Sequence, residues 1–69
     1  MDEFEWQTHG DFLFLVNEKD LAIARIEKRS NSLYLVTTFT KYGDEFAILF
    51  SEVSAKEYVY NKLGVWRQY

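Results

Sequence analysis

The sequence predicts an α+β fold: an antiparallel meander of four to five strands packed by one C-terminal helix. Three observations carry that prediction. Short apolar runs, most of them alternating, recur through the first fifty residues with polar turns between them. The last of these runs, Phe46–Phe50, leads into a segment with helix start and stop signals, Ser54-Ala55-Lys56-Glu57 and Gly64. That helix would have about nine residues, too few to persist alone in water. The only apolar surface large enough to hold it is a sheet built by the residues before it.

Phe4 and Trp6 alternate with Glu3, Glu5 and Gln7, which reads as a short half-buried strand with a polar face. Thr8-His9-Gly10-Asp11 reads as a turn, with Gly10 its left-handed residue. Phe12-Leu13-Phe14-Leu15-Val16 is apolar on both faces and reads as a central strand. Asn17–Asp20 is the second turn. Leu21–Lys28 alternates imperfectly: Leu21 and Ile23 share one face while Ile26 falls on the other. A bulge near Ala24-Arg25 would bring all three to one side. A helix over Lys19–Arg29 is the rival assignment, since Leu, Ala, Arg, Glu and Lys favour helices. Strand is preferred, because Ser30-Asn31-Ser32 links the segment directly to Leu33–Thr40, rich in β-branched and aromatic residues, and a hairpin is the economical pairing. Tyr42-Gly43-Asp44-Glu45 reads as the last turn, before Phe46–Phe50.

The helix is expected over Ala55–Leu63, with Ser54 and Glu57 capping each other's backbone N–H groups. Ala55, Val59 and Leu63 fall four apart and form its buried stripe. Glu57 and Asn61 face water. Gly64 is expected to end the helix, with Val65 folding back onto Tyr60. Trp66 is expected to dock on the helix or sheet edge.

The chain has 69 residues and reads as one domain, 1–69. It contains no cysteine, so neither a disulfide nor a thiolate metal site is expected. Its aromatics are six Phe, five Tyr and two Trp, and most are expected to fill the core, leaving few for binding. Met1-Asp2-Glu3 is acidic with no apolar leader behind it, and no run is long enough to span a bilayer. A cytoplasmic protein without membrane contact is expected. The formal net charge is −3. Residues 1–20 hold six carboxylates against Lys19 alone, and the remainder is slightly basic. An acidic whole argues against a duplex-DNA binder, which needs several phosphate-neutralising groups on one face.

Catalytic patterns are lacking in the sequence. His9, the only histidine, reads as a solvated turn residue. No serine has a nucleophile-elbow context, and the three glycines are scattered among turns rather than gathered into a phosphate loop. Glu3 with Glu5, and Asp44 with Glu45, are carboxylate pairs, but neither has calcium-loop spacing, and both read as solvated. No enzyme activity, cofactor or metal is therefore expected.

Two binding surfaces are candidates. Arg25, Lys28, Arg29, Tyr34, Lys41 and Tyr42 interleave cations with aromatics, a composition that suits single-stranded nucleic acid on a sheet face. Glu3, Phe4, Glu5 and Trp6 form an acidic-aromatic strand that suits a protein partner or a second copy of the chain. The expected function is a small non-enzymatic protein-interaction module, with protein or self as partner. Single-strand nucleic-acid binding is the alternative.

Overall fold

The computed structural model describes residues 4–63. Strands β1 (Glu5–His9), β2 (Phe12–Val16), β3 (Ala22–Ser30), β4 (Leu33–Thr40) and β5 (Gly43–Leu49) precede helix α1 (Glu52–Leu63). The strands form one sheet in the order β1-β2-β3-β4-β5, every neighbour antiparallel. Short polar turns leave each strand no neighbour to reach but the next one, and this gives the meander. Residues 22–30 are strand, as preferred over helix.

The turns are tighter than the sequence suggested. His9 and Thr8 lie in β1, and only Gly10-Asp11 turn, with Gly10 at φ +63°. Asn17 builds the next turn itself: its Oδ1 accepts from the backbone N–H groups of Lys19 (2.8 Å) and Leu21 (3.0 Å). That frees Asp20 to take a left-handed φ of 64°, a conformation Asp tolerates better than most residues. Lys41-Tyr42 make the last turn, and Asp44 and Glu45, expected within it, are paired strand residues opposite Phe39 and Thr38.

The anticipated bulge is present one residue earlier than expected. Leu15 pairs with Ala24 but Val16 pairs with Ala22, so Ile23 is the extra residue. Ile23 and Ile26 therefore pack against the same core, while Leu21 stays outside at 59% exposure. A second bulge lies between Lys28 and Ser30, where Arg29 is the extra residue.

Helix α1 begins a turn earlier than the Ser54–Glu57 pattern predicted. Ser51 is the cap: its Oγ accepts from the N–H of Ser54 at 3.1 Å, and its carbonyl accepts from Ala55 at 3.0 Å. Glu52 then sits in the first turn, favoured by the helix dipole, and pairs with Lys56 at 3.0 Å. Ala55 and Val59 are fully buried and Leu63 packs beside them, so the expected stripe faces the sheet. The small side chain of Ala55 lets the helix sit close over β4 and β5.

At the far edge of the sheet the helix holds β1 through Trp6. The Trp6 indole N–H donates to the Tyr60 hydroxyl at 2.8 Å, the two rings meet edge to face at 6.2 Å, and Lys56 Nζ lies 5.5 Å over the indole. At the opposite end Lys62 pairs with Glu45, whose hydrogen bond and charge hold the ammonium above the usual lysine range. The expectations for Glu3, Gly64, Val65 and Trp66 fall outside the described residues.

Two stability predictions follow from these contacts. Ser51→Ala is expected to lower unfolding free energy by about 1 kcal/mol in urea, and Ser54→Ala by less than about 0.5 kcal/mol. The reverse order would restore Ser54 as the cap. Tyr60→Phe, which removes only the acceptor for Trp6, is expected to cost about 1 kcal/mol. In a Trp6→Phe background the same change should cost markedly less, since the bond is already gone.

Candidate functional site

The sheet has two faces, and α1 covers one. Trp6, Leu13, Leu15, Ala24, Ile26, Tyr34, Val36, Ala47 and Leu49 point toward the helix and join its buried stripe. The register places the alternate residues on the other face in cross-strand rows. One row runs His9, Phe12, Glu27, Leu35, Ile48, and the next runs Gln7, Phe14, Arg25, Thr37, Phe46. No described element covers these rows.

This open face is largely apolar. Phe12 and Phe14 stack with centroids 6.1 Å apart, and His9 meets Phe14 edge to face at 5.6 Å. Phe46 is 63% exposed and Ile48 56%; Phe50, just past the strand, is 69% exposed. At roughly 200 Å² per large side chain, these three alone leave on the order of 350 Å² of apolar surface open. That falls within the range of the largest patch on an ordinary monomer, about 300–600 Å², before Phe12, Phe14 and Leu35 are counted. The expectation that most aromatics fill the core is corrected here: Phe46 and Phe50 are exposed, and Phe12 and Phe14 sit half-buried on the face α1 does not reach.

The centre of the face is polar. β3 is the middle strand, and it contributes Arg25 and Glu27, two residues apart. The Arg25 guanidinium lies 5.7 Å over the Phe12 ring, and its Nε is shielded from solvent without a hydrogen-bond partner among the described residues. Arg25 forms no ion pair among the described residues; Glu27 reaches Arg29 at 3.7 Å. Thr37, opposite Arg25 in register, is buried, and its hydroxyl also lacks a partner among the described residues.

The six cationic and aromatic candidates do not form one surface. Arg25 lies on the open face. Tyr34 is 7% exposed in the helix-side core, and Lys28 stands opposite it in register. Those two share a recess with Asp11 and Glu52, whose carboxylates oppose a phosphate. Arg29 is at the bulge beside the β3–β4 turn. Lys41 and Tyr42 are at the other end of β4, about 25 Å away along an eight-residue strand; there Lys41 Nζ lies 5.3 Å over the Tyr42 ring. Of the N-terminal candidates, Phe4 and Trp6 pack against the helix-side core and Glu5 is exposed on the edge strand.

The open face is not apparent from any one apolar strand taken alone. The signal lies in a count: Phe12–Val16 and Phe46–Leu49 are apolar on both sides, and the described residues supply one short helix to cover them. Among the described residues, no group of three or more His, Cys, Asp or Glu is placed to hold a metal ion, and no helix is long and apolar enough to cross a membrane.

Thr37→Val, which removes the unpaired buried hydroxyl at constant shape, is expected to raise stability by about 1 kcal/mol. A thermal melt reads this as several degrees of upward shift; a downward shift would mean that the hydroxyl has a partner.

Comparison with known proteins brings no relative to this face: no family model matches the chain, and no curated protein and no solved structure is significantly similar to it.

Proposed function

We propose that this chain is a small, non-enzymatic protein-interaction module of the cytoplasm that engages its partner through the open face of the sheet. The observation that carries the reading is the exposure of Phe46 and Ile48 beside Phe12, Phe14 and Leu35 on a face that no described element covers. An exposed patch rich in large apolar and aromatic side chains, with an arginine among them, is the composition of a binding surface. Its rigid backing suits that role, since the strands are fixed by their ladders and by α1 from behind. The acidic balance of the chain favours a protein over a nucleic acid as the occupant.

The test compares capture by the immobilised full chain with capture by a Phe46→Ser, Ile48→Ser variant, from an extract of the source cells. Both side chains point to solvent, so the variant is expected to fold with stability within about 0.5 kcal/mol of the parent. Partners retained by the parent and lost by the variant support the reading. Capture that is indifferent to the two substitutions removes it. In parallel, fluorescence anisotropy with labelled single-stranded oligonucleotides at low and high salt addresses Arg25, Lys28, Arg29, Tyr34, Lys41 and Tyr42. No binding is expected, and a tight complex that weakens steeply with salt would replace the protein-binding reading with the nucleic-acid one.

A further inference from the structure

We propose that a second copy of this chain covers the open face, sheet against sheet, about a twofold axis that runs across the strands and sets each Arg25 against the partner's Glu27. The inference rests on the reading of that face as a binding surface and names its occupant.

Charge complementarity selects the occupant. A closed twofold contact joins the same patch on both copies, so the patch must complement itself. Arg25 and Glu27 lie on the middle strand, one in each row, on either side of the centre of the face. Rotation about an axis across the strands lays one row of the first copy over the other row of the second. Arg25 then meets Glu27, and Phe12 meets Phe14. Phe46 meets Ile48. Rotation about an axis along the strands would instead press Arg25 against Arg25 in a site that water leaves. The contact also supplies a carboxylate to a guanidinium that has no ion pair among the described residues and carries a shielded, unpartnered nitrogen.

Area is consistent with the same occupant. Five strands about 4.8 Å apart, bearing side chains over about 20 Å of their length, give each face a footprint on the order of 500 Å². Two facing copies cover about 1,000 Å² before the relief of the Phe and Ile side chains is counted, the scale at which specific association begins. Aligned packing of two twisted sheets at about −30° keeps the rows in facing contact near the centre, where the charges are.

Sedimentation of the full chain across a micromolar concentration series tests the proposal. A dimer is expected. Ile48→Asp is expected to weaken it on the order of 100-fold, while Val53→Asp, on the exposed start of α1, leaves it unchanged. Arg25→Glu and Glu27→Arg are each expected to weaken self-association on the order of 100-fold, because each sets like charges together. An equimolar mixture of these two variants is expected to dimerise again, since every facing pair is then of opposite sign. Circular dichroism checks the fold of each variant; should R25E not fold, I48D and E27R carry the test. A chain that stays monomeric throughout, a dimer indifferent to I48D, or a mixture that fails to recover overturns the proposal. A monomer that still captures a partner through Phe46 and Ile48 overturns self-association alone. A dimer indifferent to I48D, with capture equally indifferent, overturns the binding-face reading as well.

Discussion

The seating of α1 on the sheet rests on a narrow contact. Ala55 and Val59 are the helix residues without exposed surface, and Leu63 extends their line. A twelve-residue helix cannot hold itself together in water, so its existence depends on that stripe finding an apolar surface. The sheet depends on the helix in turn. Leu15, Ala24, Ile26 and Val36 are dry because α1 lies over them, and burial on one side is what sets which residues of each strand face inward. A shift of one residue in any strand would exchange the two faces, so the helix contact also fixes the register of the open side.

Trp6 and Tyr60 extend that dependence to the edge. β1 makes most of its contacts with β2 alone, and a five-residue strand at a sheet margin is weakly held. The hydrogen bond from Trp6 to Tyr60, with Lys56 over the indole, ties it to an element fifty-four positions away in the chain. Closing so long a loop is entropically unfavourable, so this contact forms with the helix or not at all. The edge strand, the helix and the core are one cooperative unit.

Much of this architecture was legible in the residues, because strand alternation, turn composition and the Ala55–Val59–Leu63 spacing all point one way. The errors were local, and each has a physical cause. Ser54 and Glu57 match a capping pattern, but Ser51 caps the helix one turn sooner by accepting from the Ser54 N–H, and the sequence Glu52-Val53-Ser54 has nothing to forbid helix. Asp44 and Glu45 have turn composition, yet Gly43 can open the strand at a φ of 119°, and Thr40 stabilises the tighter turn by donating to its carbonyl at 2.6 Å. The basic and aromatic candidates do not share one surface: the strand between Tyr34 and Lys41 carries them to opposite ends, and pairing with Leu49 turns Tyr34 inward. The open face was hidden because hydrophobicity shows that a residue seeks burial but not whether this chain alone can provide it.

A sheet with spare apolar area can grow at an edge or stack through a face, and here the edges are poor routes. β1 is only five residues long and carries Glu5 exposed on it; β5 opens with Gly43, Asp44 and Glu45, the last engaged by Lys62. Short, charged margins discourage strand addition. The two central rows have the opposite design, with large apolar side chains spread over both and their two charges confined to the middle strand. Charges at a rim would keep the face wet. Charges at the centre lose water whenever the surrounding rings are covered, so a covering surface that fails to answer both of them is penalised. Arg25 and Glu27 therefore act less as solubilising groups than as a constraint on identity: they admit only an occupant that offers opposite charge at the matching separation, in the matching direction along the strands.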